Sequence, residues 1–430
     1  MRVDIVRPAV LFVLFAVSAA AAAPPVVTEV RPVPGAPDLF GPGIGVTNLD
    51  AGDLVAGSSR WDHDGDGIYF NETYVAFLAS PATPTRVFAI PEDLYYGSVI
   101  DTVSEIADNG ICVGTNLWRR EFRNKPFVWT PNAGLHFLPC STRGSAACMG
   151  SAAAVSADGR ISVGYVSPQA QGASPRAARW SIVDGRRLRL TLRELETADA
   201  WSNAWDVSVD GGTAVGESGA DEASIVAARW VGLKRQPMEA VGTASSALFV
   251  ADDASGSIGW ADLGGVRVLV RWDASGAATI AAPPGGGSVE SVRAVNRAAT
   301  AAVGAYSIGG NWAPFVWTVG GGFVTIPENG RETDYDRSEA FDVSDDGSTV
   351  VGYLGAQVIS NGEPPQRAFL WNTSVGFVLV NDLMAAHGET DPDYFFADAI
   401  SGDASRIVVT GNVSASIHDT NSVIVSLAYP

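Results

Sequence analysis

The sharpest chemical signal in the chain is Asp62-His63-Asp64-Gly65-Asp66-Gly67. Carboxylates at alternate positions can turn their oxygens onto one hard cation, and Gly67 permits the sharp turn this requires. The pattern fits calcium, with Asp62, Asp64 and Asp66 as ligands and Glu72 closing the shell. Two departures separate it from an EF-hand loop. Phe70 occupies the ninth position, and Glu72 falls one residue early. The alternative is a solvated Asp/Gly turn with no ion.

Catalytic chemistry has little footing. The four histidines, at 63, 136, 387 and 418, are scattered. The chain has no Gly-x-Ser-x-Gly elbow and no His-Glu-x-x-His pair. Gly285–Gly287 and Gly320–Gly322 lack the following lysine of a phosphate-binding loop. The acid pairs Asp252-Asp253 and Asp345-Asp346 read as turn residues. Of the three cysteines, Cys140 and Cys148 bracket a short polar loop and are expected to form a disulfide in an oxidising compartment. Cys112, in Ile-Cys-Val-Gly, reads as a small buried hydrophobe.

The elements that would carry these residues form a repeat. Its cleanest copy is Ala340–Trp371, with Val343-Ser344-Asp345-Asp346-Gly347, then Val350-Val351-Gly352, then Arg367-Ala368-Phe369-Leu370-Trp371. The pattern reads as strand, tight turn, strand, connection, strand. Glycines at 57, 114, 164, 216, 259, 304 and 352 mark seven copies about 49 residues apart, and Ile407-Val408-Val409 marks an eighth. That period fits a four-stranded propeller blade. The expected fold is all-β, a propeller of eight blades with seven as the alternative. The eighth copy ends without a fourth strand, and Val26–Pro34 is expected to fill that place beside Ser422–Leu427 and close the ring.

Each recurring position has an expected task. Asp-Gly should make a two-residue hairpin turn. A small residue, such as Ala152, Ala204, Ala247, Ala340 or Ala397, should allow close approach between blades. Trp129, Trp180, Trp230, Trp272, Trp317 and Trp371 should fill the space between sheets, with a sugar-stacking platform as the other possibility. The fifth copy, Val250–Ala254, has lost most of its turn signal. Leu192–Asn203 and Leu383–Gly388 read as local helices between blades.

Composition sets the compartment. Arg2 and Arg7 precede the apolar run Pro8–Val17, and small residues follow at Ser18–Ala23. This is the pattern of a secretory signal, residues 1–22, with cleavage after Ala22; residues 23–430 are then one propeller domain. The net charge of -19 opposes binding to nucleic acid or anionic membranes. No later stretch is long and apolar enough to span a bilayer.

Val-Ser-x-Asp-Gly, Val-Val-Gly and Ala-Phe-Leu-Trp, in that order, resemble the HAF family of probable extracellular bacterial repeats. The resemblance covers nearly all of residues 23–430. The His that precedes Ala-Phe in that family is replaced here by Arg367. The resemblance implies export and a repeat-β fold, and it carries no catalytic residues. The expected protein is a periplasmic or extracellular monomer that binds a protein or glycan without catalysis. The alternative is a propeller hydrolase or lyase acting on an extracellular glycan or polymer. Acids and histidines lining the central channel would favour the enzyme.

Overall fold

A computed structural model of the chain describes residues 23–32, 45–49, 55–61, 73–80, 83–88, 99–118, 123–140, 148–168, 174–197, 199–327, 337–355, 367–389, 393–412 and 420–429. The repeat folds as eight successive units. Unit 1 has strands Gly45–Leu49, Val55–Trp61, Thr73–Ser80 and Thr83–Phe88. Unit 2 has Val99–Ile106, Cys112–Trp118, Arg123–Thr130 and Gly134–Phe137. Unit 3 has Cys148–Val155, Ile161–Pro168, Arg176–Val183 and Arg189–Glu194. Unit 4 has Trp201–Val207, Thr213–Gly219, Val226–Val231 and Lys234–Gln236. Unit 5 has Ala244–Val250, Gly256–Asp262, Arg267–Asp273 and Ala278–Ala281. Unit 6 has Ser288–Val295, Ala301–Ile308, Asn311–Thr318 and Gly322–Thr325. Unit 7 has Glu339–Val343, Thr349–Leu354, Arg367–Asn372 and Gly376–Leu379. Unit 8 has Asp393–Ile400, Arg406–Asn412 and Thr420–Ala428.

These strands make seven sheets, six of four strands and one of eight. The large sheet holds units 1 and 2, joined by one parallel bridge between Tyr74 and Ile100. The N-terminal strand Val26–Pro32 pairs antiparallel with Thr420–Ala428, Val27 opposite Leu427, and supplies the fourth strand of unit 8. The fold is a β-propeller. First strands of consecutive units lie side by side along an inner edge, and the first strand of unit 8 lies beside that of unit 1.

The turn between first and second strands differs from the expected two-residue hairpin. In unit 4, Ser208 N–H donates to Thr213 O at 2.8 Å, and Gly211 N–H donates to Ser208 O at 2.7 Å. Four residues, Val209–Gly212, therefore span the turn, with Gly211 left-handed at φ 69°. Side chains explain the longer form. Ser208 Oγ donates to Asp210 Oδ1 at 2.7 Å and accepts Thr213 N–H at 2.9 Å, while Asp210 Oδ1 accepts Gly212 N–H at 2.7 Å. Ser156/Asp158, Ser344/Asp346 and Ser401/Asp403 repeat this arrangement. Ser and Asp recur because together they satisfy the turn's backbone donors. Unit 5 keeps the turn without glycine, as Ala254 N–H donates to Ala251 O at 2.8 Å with Ala254 at φ 58°.

A β-bulge interrupts each first strand, as between Ala204 and Asp206 or Ala340 and Asp342. The bulge drives a carbonyl into the second strand and explains the recurring glycine. A Cβ on Gly164, Gly216, Gly259, Gly304 or Gly352 would lie 1.9–2.2 Å from the carbonyl oxygen of Ser151, Asn203, Ser246, Ser291 or Glu339. No other residue fits there.

Two side chains of each third strand then fix neighbouring units. Trp180, Trp230 and Trp272 are fully buried, and their Nε1–H groups donate backwards to Pro139 O, Glu196 O and Glu239 O at 2.6, 2.7 and 3.0 Å. Arg179, Arg229 and Arg271 reach forwards to Gly211 O, Ala254 O and Ala299 O, the left-handed turn carbonyls of the next unit. The apolar cores accordingly lie between sheets. One joins Val113 and Val128 of unit 2 to Val155, Ala178 and Trp180 of unit 3. Truncating one such Trp to Ala is expected to cost about 3–5 kcal/mol.

Val380–His387 forms a helix, as expected, ended by Gly388 at φ 105°. His387 Nδ1 lies 3.1 Å from Val27 O and ties the helix to the N-terminal strand. Leu192–Asn203 is not helical. Its ends belong to strands Arg189–Glu194 and Trp201–Val207. Leu190 and Leu192 alternate with exposed neighbours and pack on the core of units 2 and 3, so tertiary burial overrides the local helix preference. Cys112 is free and fully buried, and burial pushes its thiol well above the usual range.

Candidate functional site at the inner edge

The residue preceding the recurring Val or Ile of each first strand is Glu105, Ala154, Asp206, Phe249, Ala294, Asp342 and Ala399 in units 2–8. The bulge leaves the next amide without a ladder partner, and in three places an acid of the preceding unit supplies one. Val155 N–H donates to Glu105 Oε2 at 2.7 Å, Val250 N–H to Asp206 Oδ2 at 2.7 Å, and Ile400 N–H to Asp342 Oδ2 at 2.9 Å. Asp206 and Asp342 also accept their own following amide through Oδ1. These carboxylates sit in low-dielectric surroundings. Burial lifts Asp206 to about 7 and Asp342 to about 6 against those hydrogen bonds. Burial and then the charge of Asp206 push Glu105 well above the carboxylate range. Asp398, held by a 2.6 Å bond from Thr410 Oγ1, rises to about 7 through burial. Acids thus do line the inner edge, but three of them are engaged in joining units.

The turn end of the inner edge is knitted together. Asp108 N–H donates to Ala157 O, Ala157 to Val209, Val209 to Asp252, Asp252 to Arg297, and Asp345 to Gly402, at 2.8–3.3 Å. Asn296 Nδ2 bridges the remaining step to Asp345 O at 2.8 Å. Asp108, Asp252 and Asp345 share this end. Burial raises Asp252 first, Arg297 opposes the rise, and the charges of Asp345 and Asp108 add to it. Arg297 Nε lies 3.4 Å from Asp345 Oδ1. The acid pairs read from the sequence therefore are turn residues, with Asp346 and Asp253 capping the turn backbone.

The opposite end carries the connections from second to third strands and from fourth strands onward. Between units 6 and 7, Arg293 Nε and Nη2 donate to Glu339 at 2.7 and 2.8 Å, and Ser291 Oγ also donates to it. Glu339 is 1% exposed and its carboxylate is satisfied by these donors, while the Arg293 side chain is about half exposed. Phe341, Tyr353 and Phe396 pack beside it with ring centroids 5.1–6.2 Å apart. In unit 4 this end holds a pocket of 450 Å³ lined by Val226, Ala227, Pro237, Met238 and Ala240, with Glu196, Thr197, Arg235 and Gln236 as polar groups. Arg235 Nη1 donates to Asp199 at 2.5 Å and to Ser218 Oγ at 3.1 Å.

Also in unit 4, Glu217 is 5% exposed. Burial raises its carboxyl, and donors on Ser246, Asn203 and Trp205 oppose that rise in this order. Sequence reasoning did not single out Glu217 or the inner-edge acids. Their signals were present as a lone acid after Gly216 in an apolar strand, and as Asp before Val in Ala-x-Asp-Val.

Asp62, Asp64, Asp66 and Glu72 lie outside the described residues, between Trp61 and Thr73. Among the described residues, no group of three or more His, Cys, Asp or Glu is arranged to hold a metal ion. Cys140 is half-buried after the fourth strand of unit 2, and the side chain of Cys148 is outside the description. His136 is exposed and lies 3.1 Å from Ala133 O, away from the inner edge. No helix among the described residues is long and apolar enough to cross a membrane.

No family model matches the chain, and no curated protein matches it. Among solved structures it is similar to a chain from a study of two prolyl endopeptidases, with TM-score 0.55 and 11% identity over 87% of this chain and 55% of that one. It is similar to TolB from Acinetobacter baumannii, with TM-score 0.37 and 12% identity over 58% of each chain. It is also similar to the β-propeller domain of the Trilobed protease from Pyrococcus furiosus, with TM-score 0.47 and 10% identity over 78% of this chain and 97% of that one. The chain thus spans little more than half the length of the TolB and prolyl endopeptidase chains. At such identities the likeness bears on the fold alone.

Proposed function

We propose that this protein is an exported propeller that binds a protein or glycan at its connection-bearing end and performs no catalysis there. One observation carries the reading: the two ends of the stack are built differently. At the turn end, near-uniform turns are linked unit to unit through backbone hydrogen bonds. At the other end the connections vary widely. Gly309 and Gly310 alone join two strands of unit 6, whereas residues 355–366 lie between the corresponding strands of unit 7. A rigid base with variable loops is how scaffolds present binding surfaces. The inner-edge acids support the same reading, since Glu105, Asp206 and Asp342 hold backbone amides of neighbouring units.

In this reading residues 1–22 are the export signal and the stack closes as an eight-bladed ring. Val26–Pro32 secures the closure. The order of motifs in each unit supports kinship with HAF repeats. Asp62, Asp64, Asp66 and Glu72 bind calcium in the connection of unit 1 at that same end, and Cys140 and Cys148 form a disulfide. The test of function is incubation with soluble polysaccharides while binding and new reducing ends or unsaturated products are both followed. Retention without turnover is expected. Turnover abolished by Asp206→Asn or Asp398→Asn would establish the enzyme instead.

A further inference from the structure

The 450 Å³ pocket of unit 4 sets an apolar floor beside an arginine that is only half engaged. Its walls are fixed by hydrogen bonds between units. Glu196 N–H donates to Leu233 O at 2.8 Å, and Glu196 O accepts Trp230 Nε1–H at 2.7 Å. Ala227 N–H donates to Ser245 Oγ at 2.9 Å, which holds the floor to unit 5. Arg235 is oriented by a network of its own. Its Nη1 serves Asp199 and Ser218, Ser218 Oγ donates on to Asp199, and Thr197 Oγ1 lies 3.1 Å from Ser218 Oγ. Its Nε and Nη2 donors meet no acceptor among the described residues, and the side chain is 29% exposed beside the cavity. Asp199 also faces Arg176, whose Nη1 donates to Asp199 O at 2.6 Å. The Ser218 hydroxyl and then the two arginines hold the Asp199 carboxyl below its usual range against burial, so one carboxylate answers two guanidinium groups. Gln236 makes one long bond, Nε2 to Lys234 O at 3.4 Å, and its Oε1 has no donor among the described residues.

We infer that this pocket holds the C-terminal residue of a peptide or protein, its carboxylate on the open edge of Arg235 and its aliphatic side chain on Val226, Ala227 and Met238. The inference rests on the binding function proposed above and assigns a ligand class to this one pocket. The chemistry selects the occupant. A guanidinium with two unengaged N–H groups along one edge matches a carboxylate through two parallel hydrogen bonds. Exposed Glu196 at the rim opposes a ligand of higher negative charge, such as a phosphate ester. An acidic sugar would set its hydroxyl groups against the side chains of Val226, Ala227, Pro237 and Met238, which offer no hydrogen bond, and the lining among the described residues has no aromatic ring to stack on it. A peptide places an aliphatic side chain there instead. The Gln236 amide can accept the last peptide N–H and donate to the last peptide C=O, a pairing that a free amino acid does not offer. Glu196, Pro237 and Ala240 are exposed, so the rest of the bound chain can pass out to solvent.

The test is calorimetric titration of the whole chain with N-acetylated tetrapeptides ending in valine, leucine or aspartate. Each is made as the free acid and as the C-terminal amide, and free leucine and galacturonate are titrated alongside. The valine or leucine acid is expected to bind, and its amide to bind at least about tenfold more weakly, the loss expected for one hydrogen bond between charged groups. The aspartate peptide should bind more weakly than the leucine peptide. Arg235→Lys keeps a charge beside Asp199 without the second edge, and should weaken the free acid by a similar factor in a chain whose melting is unchanged. The comparison of acid with amide uses the unmutated protein, so it decides the matter even where the variant fails to fold. The inference is overturned if no free-acid peptide binds, if the amides bind as tightly as the acids, or if folded Arg235→Lys binds as well as the unmutated protein. It is also overturned if free leucine or galacturonate binds as tightly as the peptides, which would make this an amino-acid or a glycan pocket. Each of these results leaves the proposed binding function standing, whereas turnover of a polymer would defeat that function whatever the peptides do.

Discussion

The Asp206 carboxylate of unit 4 accepts the amide N–H of Val250 in unit 5 at 2.7 Å. One side chain thereby closes a gap that the β-bulge opens in the neighbouring unit. Asp206→Ala should leave the Val250 amide without a partner and destabilise the protein by about 1–3 kcal/mol. Asp206→Asn keeps an acceptor for that amide and should cost less. Denaturant melts of the two variants give the comparison, and equal losses would show that the hydrogen bond contributes nothing.

The same acids set a pH dependence. Asp206, Asp342 and Asp398 rise to about 7, about 6 and about 7 when folded, so the folded chain binds more protons than the unfolded chain above pH ~4. Stability from these groups is therefore fully present below pH ~4 and is lost as pH rises through 6 to 7. Asp210, Asp346 and Asp403 are held below the usual range, two of them chiefly by serine hydroxyls, and their contribution is lost under more acid conditions. The melting temperature should fall from pH 5 to pH 8, and Asp398→Asn should flatten that fall. A melting temperature that climbs over this range would contradict the assignment.

Ala254, Ala299 and Ala404 occupy the left-handed turn position that glycine holds in units 2, 3, 4 and 7. Their φ angles of 58°, 47° and 59° carry a steric cost of about 1–2 kcal/mol each. Part of that returns as the greater chain entropy of unfolded glycine. Replacing any one by glycine should stabilise the fold by roughly 0–1 kcal/mol. A drop in melting temperature for all three would mean that the methyl groups pack well enough to offset the strain.

Calcium and the disulfide have separate tests. Calcium should raise the melting temperature, chelator should lower it, and Asp64→Ala should remove the difference. If calorimetry finds no binding, the loop is only an acidic turn. Thiol counting on denatured, unreduced protein should find one free thiol, from Cys112, and three would rule out the Cys140–Cys148 bridge.

The period and the task of most repeat positions were legible in the sequence because each has a residue-level cause. Gly216 is required by the Asn203 carbonyl, Trp230 by the gap between units 3 and 4, and the missing eighth fourth strand by the pairing of Val27 with Leu427. The bulge was not legible, because one extra residue in a strand leaves no compositional mark. Without the bulge, Asp206 looks like an ordinary polar strand residue and its reach to Val250 is invisible. The turn was read as too short because Ser208 was not recognised as a capping group. Leu192–Asn203 misled for another reason: its Leu, Glu and Ala favour a helix locally, whereas the core of units 2 and 3 binds Leu190 and Leu192 in a strand. Glu217 depends on side chains from two units, which a contiguous motif search does not join.

The central claim is that ligand is held at the connection-bearing end and the turn end is structural. An array of immobilised glycans and peptides, probed with the exported chain, tests it most directly through paired variants. Arg235→Ala and Thr197→Ala alter the first end, and Asp253→Ala and Arg160→Ala alter the second. The account predicts that the unmutated chain binds, that the first pair weakens binding, and that the second pair leaves it unchanged. Binding lost in the turn-end variants and retained in the other two would contradict it.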